Sequence, residues 1–387
     1  MNKKVLFIQL KGNSFGGIWQ VIHTIGNKLV ETNYDVTVVS LRENNETYNL
    51  EHNPKIKLHT INKKDIWEES YSGQEILKDI KACRILDAFK KFNIRIKHKN
   101  SVQKDKKELQ KYIFKYNPDY IIVAHYEILN MIPKKYLNRT INHHHTSFEN
   151  IEKHRDTIKT FNKYNGKIKF LWLTHNTKEK AQKYGLKNNH FIYNPNRLQS
   201  KEMADIANNK KLITIARLSR QKRIDTMIDI VKEVFKDKKY KDWTLEIFGL
   251  GGLEEELRKQ INNHKQIKLM GLTKDPKKEY LSSSINLCTS DYEGFCLSII
   301  EANECGVPTV TTNYGEPTEE VVINKKTGII AKNKEDYIKK LKEMMDNIEQ
   351  RKEFAINGKE FVQKFQIDNI IKEWIKLFDE IDQNKGE

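Results

Sequence analysis

Short apolar runs alternate with helical stripes along most of this chain, and this alternation is the strongest restriction on its fold. Residues 5–10 form an apolar run, and the next apolar residues recur at the spacing of one helical face. Comparable runs occur at residues 36–40, 120–124, 140–145, 212–216, 244–248, 267–270, 285–288 and 309–312. Strands that alternate with helices indicate parallel sheets covered by helices on both faces. We therefore predict an α/β fold.

The chain is long enough for two such sheets. Its 387 residues can form two α/β domains, each with its own buried core. The segment YNPNRLQSKE, residues 193–202, interrupts the alternation with a proline and several polar residues. We place the link there, which predicts domains at residues 1–195 and 196–365. Between residues 43 and 116 the pattern is weaker and the sequence is very basic, so helices are assigned there only loosely.

The charge of the chain narrows the choice of partners. The formal net charge is +17 at pH 7, which indicates a nucleic acid, an anionic lipid, a nucleotide or a polyanionic glycan. A solvated, lysine-rich surface with no dedicated partner is the alternative. The chain lacks an aromatic–basic recognition motif, so we do not expect it to bind nucleic acid.

The sequence also bears on location and redox state. No apolar run approaches the roughly 20 residues that span a bilayer, and the apolar stretch at the N-terminus is too short for a signal-peptide core. We predict a cytoplasmic protein, and a peripheral contact with the inner face of the plasma membrane is compatible with its charge. The cysteines Cys83, Cys288, Cys296 and Cys305 form no CxxC pair. We expect reduced thiols in the core.

A glycine-rich loop, GNSFGG, joins the first predicted strand to the first predicted helix. Its glycines, among them Gly16 and Gly17, let a backbone approach a ligand closely, and a helix N-terminus favours negative charge. The spacing is not GxGxxG, so the dinucleotide fingerprint is absent. A purely structural turn is an equally good interpretation.

A basic loop, ARLSRQKRID at residues 216–225, follows a predicted strand and precedes a helix. Arg217 and Lys222 therefore lie at the carboxyl edge of the second sheet, where open α/β sheets bind ligands. A guanidinium fork and a lysine charge together suit a diphosphate. Two solvated cations are the alternative interpretation.

The segment DYEGFCLSIIEANECGVPTV, residues 291–310, carries Glu293 and Glu301 eight positions apart. If the span were all helix, the two residues would be about 12 Å apart, too far for an acid–base pair acting on one atom. This separation suits the two hydroxyl-rich ends of one ligand, with an anion between them at the helix N-terminus. A sugar–diphosphate–nucleoside has that layout. A capping glutamate and a surface glutamate are the alternative.

The run EGFCLSIIE resembles the Glu-x7-Glu motif of the family 4 retaining glycosyltransferases, and the resemblance covers nearly the whole chain. The loop ARLSRQK is similar to the family's donor-phosphate loop, Gly-Arg-Leu-x3-Lys, with Ala216 in place of its glycine. Further similarity lies in FGLGG at 248–252, in Gly271, in residues 16–40 and in the terminal helix with Trp374. The resemblance implies a GT-B fold, with two Rossmann-like domains facing across a cleft and the helix 366–387 packing back on the first.

The resemblance also implies a reaction. It indicates a retaining, metal-independent hexosyltransferase that needs no cofactor and uses a nucleotide sugar, with a UDP-sugar expected. Arg217 and Lys222 would contact the donor diphosphate. Glu301 would bind the ribose hydroxyls and Glu293 the transferred sugar. The other implied donor contacts are Gly16 and Gly17 across the cleft, Gly249, Gly271, Gly294, and the backbone of Phe295, Cys296, Leu297 and Ser298.

Three consecutive histidines stand in NHHHTSF, residues 142–148. In a strand His143 and His145 would share one face, with His144 on the other. Adjacent strand residues rarely converge on one ion and no acidic partner is evident, so we predict no metal site. The family often has a histidine at the end of such a strand, facing the sugar. The position in the pattern favours His145, with His144 next.

The acceptor is less directly predicted. The net charge and the lysine-rich stretch 90–116 indicate an anionic cell-envelope glycan, such as a teichoic acid, a capsule or a lipid-linked precursor. Two other functions stay open. A GT-B nucleotide-sugar epimerase or phosphorylase would share the fold, although the Glu-x7-Glu context counts against it. A basic nucleic-acid-binding protein would share only the charge.

Overall fold

The computed structural model describes residues 2–12, 16–43, 52–62, 73–82 and 84–383. The middle of the GNSFGG loop, Cys83 and the last four residues of the predicted terminal segment therefore lie outside the described residues. Inside them the chain forms two parallel sheets with helices between the strands. The predicted α/β class is confirmed.

The chain divides into two compact units. The first unit comprises Met1–His144, Lys159–Phe170 and Phe378–Glu387, and the second comprises His145–Ile158 and Leu171–Leu377. This division does not test the domain boundary predicted at residue 195, which stays a prediction.

The first sheet has seven strands in the spatial order 3-2-1-4-5-6-7. Its strands are β1 (Lys4–Lys11), β2 (Asp35–Arg42), β3 (Lys57–Asn62), β4 (Tyr120–Val123), β5 (Thr140–His143), β6 (Lys169–Trp172) and β7 (Asn189–Phe191). The helices that precede or follow them are α1 (Gly17–Glu31), α2 (Gly73–Lys81), α3 (Ile85–Tyr116), α4 (Phe148–Glu152), α5 (Arg155–Tyr164) and α6 (His175–Lys183). Two 3-10 turns cover Tyr126–Met131 and Lys134–Arg139.

β1 lies at the centre of this sheet. Val5 pairs with Val36 on β2 and with Tyr120 on β4, both in parallel register. Because strands pair with both edges of β1, residues 5–8 of the apolar run are fully buried.

The second sheet has six parallel strands in the order 10-9-8-11-12-13. Its strands are β8 (Lys211–Ile215), β9 (Thr244–Phe248), β10 (Ile267–Gly271), β11 (Ile285–Cys288), β12 (Thr309–Thr312) and β13 (Gly328–Ala331). Its helices are α7 (Ile224–Phe235), α8 (Glu254–Ile261), α9 (Pro276–Leu281), α10 (Leu297–Glu304), α11 (Thr318–Val321), α12 (Lys334–Asp346), α13 (Ile348–Phe361) and α14 (Ile367–Gln383). Short 3-10 turns cover Arg220–Lys222, Lys238–Tyr240 and Val362–Phe365.

The strand order of the second sheet reverses between β8 and β11. β8 pairs with β9 on one side and with β11 on the other, so the connections leave the sheet in opposite directions at this point. In open α/β sheets, ligands bind where the strand order reverses in this way, beyond the carboxyl ends of the strands.

The strands of the first and second sheets differ in part from those that the sequence predicts. The run at 140–145 was predicted as one strand, but β5 ends at His143, so strand alternation does not extend to His144 and His145. β3, β6, β7 and β13 were not predicted.

The end of the terminal helix α14 belongs to the first unit. The ring of Phe378 stacks on Tyr120, with ring centroids 4.1 Å apart, and Lys3 forms an ion pair with Asp382. Among the described residues no helix combines the length and the apolar character required to cross a membrane.

Two glutamates near α11 cap helices that are distant in sequence. The Glu316 carboxylate accepts hydrogen bonds from the amides of Phe148 and Glu149, at 2.5 and 3.3 Å, where α4 begins. Glu320 accepts hydrogen bonds from the amides of His175 and Asn176, at 2.9 and 2.5 Å, where α6 begins. These bonds satisfy amides that a helix leaves without internal partners. They hold α4 and α6 to the second unit.

The turn after β9 requires glycine for reasons of space. A Cβ on Gly249 would overlap the carbonyl of Ala216, and a Cβ on Gly251 would overlap the carbonyl of Leu218. Gly249 also has a φ of +144°, a conformation that side chains disfavour. The FGLGG turn is therefore packed against the loop that follows β8.

We expect Gly251→Ala to destabilise the protein by about 1–3 kcal/mol, because the overlap is with backbone that cannot rotate away. Gly252→Ala is the matched control, since nothing lies within 4 Å of its Cβ position. Thermal unfolding of both variants measures the difference. Equal melting temperatures would show that the turn is not packed as described.

Candidate functional site

Two loops meet at the carboxyl edge of the second sheet, and we call them the paired loops: residues 216–223 after β8 and residues 289–296 after β11. The Thr289 hydroxyl donates to the carbonyls of Lys222 and Arg223, at 3.1 and 2.9 Å. The Gln221 amide group donates to the carbonyl of Tyr292 at 2.8 Å. These bonds fix the two loops as one surface.

Lys222 and Glu293 form an ion pair across the paired loops. Their side chains are only 17% and 9% exposed. Burial alone would lower the pKa of Lys222, but the charge of Glu293, the neighbouring sulfurs of Cys296 and Cys288 and the hydrogen bond to Glu293 together raise that pKa above the ordinary lysine value. The site therefore contains a lysine that stays charged although it is largely removed from water.

The N-terminus of α10 opens onto the paired loops. Cys296 precedes the helix in a left-handed conformation, φ 62°, and among the described residues no side chain caps the first turn. The first turn also contains no acidic residue. The amides at the start of a helix lack internal partners and carry partial positive charge, so this end of α10 favours an anion. Leu297 and Ser298 supply the first of these amides.

Two buried thiols lie beside this helix end. The sulfur of Cys296 is 3.7 Å from that of Cys288, and neither forms a disulfide. The hydrogen bond between the two thiols lowers the pKa of Cys288 and raises that of Cys296. The ring of Phe295 is also buried, packed at 5.1 Å from Phe365, so only its backbone is available to a ligand.

Glu301, in the second turn of α10, has a partner that sequence reasoning missed. The Nε atom of Arg197 donates to its carboxylate at 2.5 Å, and the Glu301 side chain is 4% exposed. Arg197 lies in the segment that we interpreted only as a linker. No periodic pattern marks a residue there, and the contact spans 104 positions.

Arg217 stands at the start of the first paired loop and is exposed. Within the part of the chain that the structure describes, its side chain forms no hydrogen bond or ion pair. Its guanidinium is therefore available to an anion that binds at this edge.

The backbone that follows the histidine run touches the paired loops. A Cβ on Gly294 would overlap the carbonyl of His145 and the amide of Thr146, so only glycine fits there. The His145 side chain is half-buried. His143 and His144 are buried, and burial lowers the pKa of each to about 3. Both stay neutral at physiological pH, and the structure brings the backbone of His145 beside Gly294.

The remaining predicted glycines lie in different places. Gly16 and Gly17 stand at the start of α1 in the first unit, and Gly16 has an extended backbone with open space around its Cβ position. Gly271 ends β10 with a φ of +75°, and its carbonyl accepts a hydrogen bond from the amide of Gly249 at 2.7 Å. Among the described residues no group of three or more His, Cys, Asp or Glu side chains could hold a metal ion.

The second unit contains a segment that matches a known family. Residues 196–361 match the model of the family described as glycosyl transferases group 1. The match includes both paired loops, α10 and Arg197.

Curated relatives agree with this match. An uncharacterized glycosyltransferase of Haemophilus influenzae is 28% identical over 394 residues, which cover 96% of this chain and 99% of the relative. The poly(ribitol-phosphate) alpha-N-acetylglucosaminyltransferase of Staphylococcus aureus is 28% identical over 170 residues, or 42% of this chain and 34% of the relative.

The fold agrees as well. A crystal structure of S. aureus TarM, in complex with fondaparinux, alpha-GlcNAc-glycerol and UDP, superposes with a TM-score of 0.76 and covers 97% of this chain and 99% of that one. The two sequences are only 15% identical, so the similarity is one of fold. Together these findings support a glycosyltransferase with the GT-B fold, in which residues 196–361 match glycosyl transferases group 1.

Proposed function

We propose that this protein is a retaining glycosyltransferase that moves a sugar from a UDP-sugar to a cell-envelope glycan. The observation that carries the proposal is the Lys222–Glu293 pair beside the uncapped N-terminus of α10. A fixed cation, free helix amides and carboxylates on either side of them match the phosphates and the two hydroxyl-rich ends of a nucleotide sugar.

The phosphate end of the donor would lie between the paired loops. Lys222 supplies a charge that Glu293 holds in place, and Arg217 supplies a free guanidinium fork. The amides of Leu297 and Ser298 point from the positive end of α10. In this arrangement the protein itself supplies the positive charge, so we propose that the reaction needs no metal ion.

The two glutamates would bind the ends of the donor. Glu301 accepts from Arg197 through one oxygen, which leaves the other oxygen for the ribose hydroxyls. Glu293 accepts from Lys222 in the same way and has an oxygen for the hydroxyls of the transferred sugar. Because the carbonyl of His145 lies against Gly294, we propose that the His145 side chain faces this sugar.

Catalysis would then be mainly electrostatic. As the bond between the sugar and the diphosphate breaks, negative charge grows on the leaving UDP. Cations and amide dipoles that are already in place stabilise this charge without moving, which lowers the barrier. The role of Lys222 and Arg217 is therefore to bind the transition state more strongly than the donor.

The names of relatives support the acceptor class and the stereochemistry. The S. aureus relative acts on poly(ribitol-phosphate), an anionic polymer, and its name specifies an alpha product. An alpha product from an alpha-linked nucleotide sugar is retention of configuration. A formal net charge of +17 suits an acceptor of this kind.

A thermal-shift measurement tests the donor site. UDP and UDP-sugars should stabilise the protein, by about 2.7 kcal/mol at a hundred times the dissociation constant. The shift should be lost in Lys222→Ala, whereas His145→Ala should keep the shift with UDP and lose sugar transfer. If no nucleoside diphosphate or nucleotide sugar moves the melting temperature, the proposal is wrong.

Product analysis separates the proposed reaction from its nearest rival. A nucleotide-sugar epimerase would bind the same ligand, so the shift alone does not discriminate. With a labelled UDP-sugar and a poly(ribitol-phosphate) acceptor, transfer puts the label on the polymer through an alpha linkage. If the donor is epimerised and the polymer stays unlabelled, the protein is an epimerase and the proposed transfer reaction is wrong.

Arg217→Ala should lower kcat by about 10²–10³ and change KM less, because the charge that it meets grows in the transition state. Arg217→Lys should recover part of the loss, since an ammonium cannot reproduce the planar fork. Arg220→Ala is the control, an exposed arginine of the same loop. Steady-state kinetics with varied donor measure the effect. A wild-type kcat in Arg217→Ala would remove this loop from the phosphate site.

Glu293→Gln should make turnover sensitive to alkaline pH. Glu293 raises the pKa of Lys222 through its charge and through a hydrogen bond, so its neutralisation lowers that pKa and the lysine loses its charge at a lower pH. The normalised kcat/KM should therefore fall, as pH rises, earlier in the variant than in the wild type. Lys222→Arg in the same background should remove the fall, because guanidinium stays charged. Superimposable profiles would contradict the role of the pair.

A further inference from the structure

The helical hairpin of α2 and α3, in the first unit, exposes a cluster of large apolar side chains. We call this cluster the hairpin face. Each of its members is between 42% and 78% exposed, where side chains of this kind are ordinarily buried. They are Leu77, Ile80, Ile85, Leu86, Phe89, Phe92 and Ile96. An exposed apolar group of this size marks an interaction surface.

The members on α3 form a regular stripe. Ile85, Phe89, Phe92 and Ile96 recur at intervals of four, three and four residues. At about 100° per residue they fall within a sector of about 60°. The buried Ala88 lies to one side of this stripe, which shows that the helix turns a different face toward its packing partners.

Basic residues border the stripe. Residues 77–99 contain eight lysines and arginines and two aspartates. Of the two aspartates, Asp79 is buried and already paired with Arg84 and Lys91. On the helix, Lys99 and Arg95 lie about 20° and 60° beyond one edge of the apolar sector, and Lys97 and Lys90 lie about 80° and 100° beyond the other. The hairpin face is therefore apolar in the middle and positive at both margins.

We propose that the hairpin face binds the surface of an anionic lipid membrane. Phe89, Phe92 and their neighbours would enter the boundary between the headgroups and the acyl chains. The lysines and arginines on either side would lie at the level of the phosphates. Amphipathic helices that lie in a membrane interface have this combination of aromatic and aliphatic residues with basic margins.

Other binding partners would account for either the basic or the apolar residues of the hairpin face, but not for both. A soluble polyanion, such as a glycan or a nucleic acid, would use the basic margins but gives no reason for four exposed apolar residues in one stripe. A second copy of this chain would cover the stripe but would bring two strongly positive surfaces together, which costs free energy. An anionic lipid surface satisfies the apolar and the charged residues together.

Sedimentation with vesicles tests the proposal on the full chain, without donor or acceptor. Vesicles of phosphatidylcholine mixed with phosphatidylglycerol should bind the protein, and vesicles of phosphatidylcholine alone should bind it much more weakly. Binding to the anionic vesicles should weaken as salt is raised above roughly 0.15 M, because the charges at the margins are screened. Because no nucleotide is present, the outcome does not depend on the proposed reaction.

Two variants locate the binding surface. Lys97→Gln with Lys99→Gln should reduce partitioning onto anionic vesicles by about thirtyfold, at about 1 kcal/mol for each charge. Phe89→Ser with Phe92→Ser should reduce it by at least about tenfold. The matched controls are Lys238→Gln with Lys241→Gln, and Ile356→Ser, which removes an exposed apolar side chain of the second unit. Both controls should bind like the wild type.

The outcomes are distinct. Loss of binding in the two hairpin variants, with unchanged unfolding temperatures and unchanged controls, supports the proposal. Absence of wild-type binding to anionic vesicles overturns it, and so does wild-type binding that persists in both hairpin variants. If light scattering instead shows an oligomer that Phe89→Ser with Phe92→Ser dissociates, and vesicles bind neither form, the hairpin face is an interface between copies and the proposal is wrong.

Discussion

The hydrogen bonds that join the loops after β8 and β11 are the contacts on which the candidate site depends. The Thr289 hydroxyl and the Gln221 amide hold the end of one strand to the end of its neighbour. Without them, Lys222 would be a lysine on a surface loop, free to sample many rotamers. With them, it is buried opposite Glu293, and the start of α10 lies on the same sheet edge. The parallel sheet thus places two loops that are distant in sequence side by side, where they form one charged surface.

Charge is distributed in this site so that each buried group has a partner before any ligand arrives. Lys222 is paired with Glu293, and Arg197 is paired with Glu301. An unpaired buried charge would cost several kcal/mol, so the pairs keep the ligand-free protein stable while the cations stay in position. Preorganised charge of this kind needs no rearrangement when negative charge develops nearby.

The sequence predicts those parts of the molecule that follow a local pattern. β1 and β11 are largely buried parallel strands, so most of their residues are apolar and the run is visible. β3 carries exposed positions along half its length and β7 has only three residues, so neither produces such a run. Glu293 and Glu301 could be found because their spacing has a chemical meaning. Arg197 could not, because only the folded chain brings it to Glu301.

The capping of α4 and α6 by Glu316 and Glu320 has a consequence for biosynthesis. Both helices are complete in the nascent chain after residue 183, yet the carboxylates that cap them are encoded more than a hundred codons later. During translation these helix starts must rely on Ser147 and Thr174 alone. They reach their final stability only when α11 has left the ribosome, which couples the maturation of an early segment to the synthesis of a late one.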